Sequence, residues 1–134
     1  MMAKLIHVSG KRKRSIARAT LKEGKGIIRI NNLLLDHFEP KMARMKVMEP
    51  LLLAGEDVIK KVDISVMVEG GGIMSQTEAS RLAIARCLAQ FDKKLKPTFE
   101  SYDRHLLIAD VRRKESAKPG RHGQARAKRQ KSYR

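Results

Sequence analysis

Three glycines, Gly70 to Gly72, follow the alternating stretch VDISVMVE and precede a segment with helical apolar spacing. A glycine turn at a helix start brings backbone amides close to an anion, so phosphate binding is the chemistry this triplet offers. The stretch lacks the Gly-Lys-Ser/Thr ending of a P-loop and the spacing of a dinucleotide fingerprint, which argues against a nucleotide site. The four histidines, His7, His37, His105 and His122, have no Cys or carboxylate partners at ligand spacing, so no metal is expected. Cys87 falls on an apolar helical stripe and reads as a small buried hydrophobe rather than a nucleophile. No residue set suggests catalysis, and no cofactor is expected.

The cations form the one coherent set. The formal net charge is +16 over 134 residues. Residues 1–30 net +8, residues 31–110 net −1 and residues 111–134 net +9. A neutral middle flanked by two large one-sign blocks points to a polyanionic partner rather than to general solubility. The basic stretches lack the apolar face of an interfacial helix, so nucleic acid is favoured and no membrane contact is expected. With three Phe, two Tyr and no Trp, the chain lacks an aromatic platform for single-stranded bases. The glycine turn then reads as lying close to RNA or to its own fold. A regulatory DNA-binding protein shares the charge but should show a base-reading helix or a dimer seam. An enzyme of the small-molecule kinase type also uses a glycine turn but needs a catalytic carboxylate or Lys and a larger chain.

The elements that must position these cations follow from apolar period. Residues 5–9 alternate weakly, while 15–22 put Ala17, Ala19 and Leu21 on one face and Arg18, Thr20 and Lys22 on the other. The turn EGKG leads into IIRI, so 15–30 reads as a hairpin with a basic outer face that includes Arg29. From Pro40, Met42, Met45, Met48 and Leu52 recur as one stripe of a helix interrupted or kinked by Pro50, and the stripe reads as core filling. Residues 62–69 are a strand with Val62, Ile64, Val66 and Val68 inward. Ser75 and Glu78 read as a capping box for a helix whose stripe is Ile84, Cys87, Leu88 and Phe91. A shorter helix is expected from about Pro97 to Leu107.

These elements predict one α+β domain over 1–110, a two-layer sandwich with a mixed sheet and helices on one face. Residues 111–134 form a long, extended basic tail that should be disordered in the isolated protein. Its last stretch, GRHGQARAKRQKSYR, holds too little apolar surface to offset backbone entropy and should be disordered alone in solution. Extended at roughly 3.3 Å per residue, the tail could span about 80 Å. With one cysteine and no apolar N-terminal run, the chain reads as cytosolic.

The order of these segments resembles the small-subunit ribosomal protein S-nine family in its archaeal and eukaryotic form. The resemblance rests on GKRKRSIARATL, GKGIIRINN, PKMARMKVMEPLLL, GGGIMSQTEASRLAIARCL, LLIADVRRKES and the ending KRQKSYR. Val111 stands where the family usually has proline, Ser75 where many members have glycine, and Asn32 where glycine is common. The resemblance implies a left-handed βαβ crossover and a place in the head of the small subunit, on ribosomal RNA and beside other head proteins. It also implies that the tail runs toward the peptidyl-site tRNA. The expected ribosomal RNA contacts are Lys11, Arg12, Lys13, Arg14, Arg18, Lys22, Arg29, Gly71, Gly72 and Arg81 in the body. In the tail they are Arg112, Arg113, Lys114, Lys118, Arg121, Arg126, Lys128 and Arg129. Lys131, Tyr133 and Arg134 are the expected tRNA contacts, with Arg134 reaching anticodon stem-loop phosphates.

Overall fold

Alternation carries the sheet. In a computed structural model that describes residues 4–120, 125, 126 and 132, five strands form one mixed sheet. They are β1 (Ile6–Arg12), β2 (Ser15–Glu23), β3 (Ile28–Ile30), β4 (Leu33–Leu34) and β5 (Val62–Glu69), in the order β1-β2-β5-β3-β4. Only β3 and β5 pair in parallel. Ala17, Ala19, Leu21, Val62, Ile64, Val66 and Val68 turn inward as their period of two requires and are buried. The helices are α1 (Lys41–Ala54), α2 (Glu56–Ile59), α3 (Ile73–Phe91) and α4 (Leu95–Tyr102). Helix α3 crosses β1, β2 and β5, and α1 packs on α3, so the helices cover one face and leave the other open.

The expected hairpin over 15–30 is not formed. Strand β5 lies between β2 and β3, antiparallel to the first and parallel to the second. The glycine-containing link bends around Asp63 instead. Its Oδ1 accepts the N–H groups of Lys25, Gly26 and Ile27 at 2.8, 3.1 and 2.9 Å. A partner 36 to 38 residues away directs the chain across β5, and local turn signals could not show it. The Ile27 N–H, then that of Lys25, holds the Asp63 carboxyl below its ordinary value of 3.8. A depressed carboxyl stabilises the fold above its unfolded value and loses that contribution as pH falls through the folded one. Asp63→Ala should therefore cost about 1 kcal/mol near neutral pH, discounted for solvent screening. In urea unfolding the gap between parent and variant should close as pH drops below 3.8, whereas a constant gap would show that the charge contributes nothing.

The real hairpin is β1–β2, with Arg12 opposite Ser15 and Lys13 at a φ of 53° in the turn. Helix α1 begins one residue after Pro40 and runs through the buried Pro50 to Ala54 without interruption. Of its methionine stripe only Met48 packs against the core. Met42, Met45 and Leu52 are 73%, 54% and 72% exposed, and Ala43, Val47, Leu51 and Ala54 are buried instead. Alanines on α1 and α3 suit a close helix crossing that bulky methionines would hold apart.

Helix α3 starts at Ile73 with Gly72 as its N-cap and no side-chain cap, so Ser75 and Glu78 form no capping box. Glu78 is drawn away by Arg12 and Lys46. The stripe Ile84, Cys87 and Leu88 is buried as its spacing predicts, with Phe91 half-buried. Burial pushes the Cys87 thiol up to about 12, consistent with a packing role. Helix α4 ends at Tyr102, and a single 3₁₀ turn, Arg104–Leu106, finishes the segment expected to be helical. Leu106 is the last buried core residue among the described residues, and residues 111–120 are exposed throughout.

Candidate nucleic-acid interface

The basic run at 10–14 is a strand end and a turn, and strand alternation sorts its members. Lys11 is exposed on the open face, Arg12 turns toward the helices, and Lys13 and Arg14 project from the turn. The glycine triplet packs against that turn. Gly70 and Gly71 have φ of 78° and 64°, and a Cβ on Gly70 would lie 2.6 Å from the Arg14 carbonyl oxygen. On Gly71 a Cβ would lie 2.2 Å from Ser15 Oγ, which itself donates to the Gly70 carbonyl at 2.8 Å. The fold itself requires glycine at these two positions. Gly72 is different: nothing lies within 4 Å of a Cβ built there, so it leaves open space at the start of α3.

The tail root closes this end of the molecule into a groove. Lys13, Arg14, Gly71, Gly72, Ser75, Arg112, Arg113, Lys114 and Glu115 line it, around a volume of about 1020 Å³. Arg112 is bound to Asp110, and Glu115 is held by Lys118 and Arg126 at 2.8 and 2.7 Å. Among the described residues, Lys13, Arg14, Arg113 and Lys114 have no carboxylate partner. Four uncompensated cations around open backbone at a helix start make a site for a polyanion.

The open sheet face continues the positive surface. Across it runs a row of His7, Thr20, Ser65 and Arg29, one residue from each of four strands. His7 Nδ1 and Thr20 Oγ1 are 2.8 Å apart. In the next row Arg18 stands between Ser9 and Met67 and meets Glu69 at 2.9 Å, while Lys22 is opposite Asp63. Apart from Met67 these rows are polar or charged, and their one aromatic ring is the imidazole of His7. Such a face can meet phosphates and hydroxyls but offers no stacking platform. Among the described residues no group of His, Cys, Asp or Glu could hold a metal, and no helix is long and apolar enough to cross a membrane.

Comparison with known proteins names the polyanion's setting. The profile of the family described as ribosomal protein S9/S16 matches residues 10–134. The small ribosomal subunit protein uS9 of Methanococcus maripaludis strain C7 is 51% identical over 134 residues, covering 98% of this chain and 99% of the relative. The uS9 proteins of strains S2 and C5 are equally similar, at 51% identity with the same coverage. The chain belongs to the ribosomal protein S9/S16 family. It is accordingly a structural protein of the small ribosomal subunit and not an enzyme, and it serves translation in the cytoplasm as part of the ribosome.

Within this family fold, two of the expected RNA contacts sit in internal ion pairs. Arg12, with its side chain 13% exposed, meets Glu78 at 2.5 Å and Asp110 at 3.2 Å. Arg81, 8% exposed, binds Glu49 at 2.5 Å and Asp103 at 3.2 Å. Burial pushes the Glu78 carboxyl up, but hydrogen bonds from Lys46 and Arg12 outweigh it and leave it below its ordinary value. Asp103 balances the same way, with burial opposed by the His105 N–H and by Arg81. Both arginines tie α3 to its neighbours. The inward turn of position 12 was available from the alternation that places Ile6 inside, whereas Arg81 needs the tertiary fold. Sequence reasoning passed over Arg86, which joins the Leu107 and Ser9 carbonyls at 2.9 and 2.8 Å and fastens the segment after α4 to β1. Of the tail contacts, Arg121, Lys128, Arg129, Lys131, Tyr133 and Arg134 lie outside the described residues.

Proposed function

We propose that the chain binds ribosomal RNA in the head of the small subunit through the groove at the β1–β2 turn and the open sheet face. The observation that carries this reading is the convergence of Lys13, Arg14, Arg113 and Lys114, drawn from two distant sequence segments, on one groove without carboxylate partners among the described residues. Lys11, Arg18, Lys22 and Arg29 extend the contact over the sheet, and Gly72 lets backbone come close. Arg12 serves that surface from within by holding β1, α3 and the tail root together, and Arg81 by holding α3 to α1 and to Asp103. Residues 1–110 are the body and 111–134 the tail, a division supported by the end of burial at Leu106. The parallel pair β3 and β5, joined through α1, suits the left-handed crossover that the family resemblance implies.

The tail, with Lys118, Arg121, Arg126, Lys128 and Arg129 along it, follows RNA away from the body, where other head proteins adjoin. Its end, Lys131, Tyr133 and Arg134, contacts the peptidyl-site tRNA. Arginine suits this work because its planar fork engages phosphate bidentately. Removing Arg134 should spare folding and assembly and raise the tRNA off-rate from purified small subunits by about tenfold or less, as one charge-assisted hydrogen bond in solvent allows. The parent chain should stay on subunits washed at salt concentrations that strip loosely bound basic proteins. Equal off-rates with and without Arg134 at several salt concentrations would rule out the tRNA contact, and loss of the parent chain in the wash would rule out an integral place on ribosomal RNA.

A further inference from the structure

Asp110 ends the body and opens the basic segment, and it is held from both sides. From the body, Arg12 Nη1 lies 3.2 Å from Oδ2, an ion pair without hydrogen-bond geometry, while the same guanidinium meets Glu78 of α3 through Nε at 2.5 Å. From the tail, Arg112 folds back over the same carboxylate, with Nε at 3.1 and 2.9 Å from its two oxygens and Nη2 at 2.6 Å from Oδ2. The Arg112 backbone N–H donates to Oδ1 at 3.0 Å, and Arg113 Nη1 donates to the Asp110 carbonyl at 2.9 Å. The Asp110 side chain is 14% exposed although every residue from Val111 to Gly120 is exposed.

We propose that Arg12 and Asp110 are positioning residues for RNA binding: the Arg12–Asp110–Arg112 contact fixes the direction in which the basic segment leaves the body. It thereby holds Arg113 and Lys114 across the groove from Lys13 and Arg14. This rests on the reading of that groove as an RNA site. Arg12 could meet a phosphate only by breaking its pairs with both Glu78 and Asp110, so its influence on RNA passes through the tail. A root free to swing would have to be ordered on binding, and a root already held avoids that entropy cost.

The idea has a test in which sign decides. Asp110→Asn removes a negative charge beside an RNA site, so charge alone predicts tighter binding. Positioning predicts the reverse: affinity of the full-length protein for a small-subunit ribosomal RNA fragment falls roughly fivefold. The slope of log affinity against log salt should stay unchanged, because every phosphate keeps its cation. Equal or tighter binding, or a shallower slope, would overturn the proposal. A second readout needs no RNA. A spin label on Ser116→Cys, which lines the groove, reacts selectively because the other thiol, Cys87, is buried. It should broaden the amide signals of Lys13, Gly71 and Gly72 in the parent background and lose most of that effect in Asp110→Asn. Should Asp110→Asn disturb the sheet, Arg112→Gln decides, since among the described residues of the body the Arg112 side chain hydrogen-bonds Asp110 alone, and this variant should lose the broadening too. Broadening that survives in the folded variants, or is absent from the parent, would show that the contact does not aim the tail.

Discussion

Replacing Lys13, Arg14, Arg113 and Lys114 together with glutamine should weaken binding to small-subunit ribosomal RNA on the order of a hundredfold at physiological salt. Each cation–phosphate pair removed lowers the slope of log affinity against log salt by roughly 0.7 to 0.9, so removing four should flatten it by about 3. These four side chains have no carboxylate partner among the described residues, so their removal takes charge from the groove without breaking an internal ion pair. Folding stability should be almost unchanged. Lys60 and Lys61 are the matched control: both are exposed, and Lys60 is already paired with Glu56 at 3.0 Å. Filter binding across a salt series reads both variants. If glutamine at 60 and 61 flattened the slope as much as the groove variant did, charge would act here only in bulk.

The largest effect on stability should come from a single methyl group. Gly10 lies on the inner side of β1 beneath α3, where a Cβ would stand 2.4 Å from the Ala79 carbonyl oxygen and 2.8 Å from the Ala83 amide nitrogen. Both neighbours are helix backbone, which cannot rotate away as a side chain can. Gly10→Ala must therefore push α3 off the sheet and should cost about 3 kcal/mol, a large share of the net stability of a domain this size. Urea unfolding of the purified chain gives the value directly. A variant as stable as the parent would mean that α3 and β1 can separate at little cost, and that the close approach does not hold the layers together. The first glycine of the GKRKR run thus belongs to packing, although basic residues follow it directly.

What could be read from the sequence was whatever depends on local period. The alternation in 15–22 and 62–69 placed the inner faces of β2 and β5 residue by residue, and the spacing of Ile84, Cys87 and Leu88 placed the buried side of α3. Pairing was a different matter. The turn EGKG has the composition of a hairpin, but Asp63 captures its amides from far along the chain, and β5 enters between the two strands. Helix α1 misled for a related reason: the largest apolar groups, Met42, Met45 and Leu52, mark a periodic stripe, yet its partner α3 requires small residues. The interface shows the same division. The segregation of charge pointed to a polyanion, and the runs at 11–14 and 112–114 named its two halves. That these halves meet over the glycine turn, and that Arg12 pairs with Asp110 at the root of the tail, depends on contacts between residues about a hundred positions apart.

Site-specific cross-linking in the assembled small subunit decides whether the groove at the β1–β2 turn faces ribosomal RNA. A photoreactive side chain placed at the position of Arg14 should give adducts with ribosomal RNA confined to one contiguous region, while the same group at the position of Lys60 should give none. RNA adducts from position 60 with none from position 14 would contradict the account and put the ribosomal RNA on the opposite side of the protein.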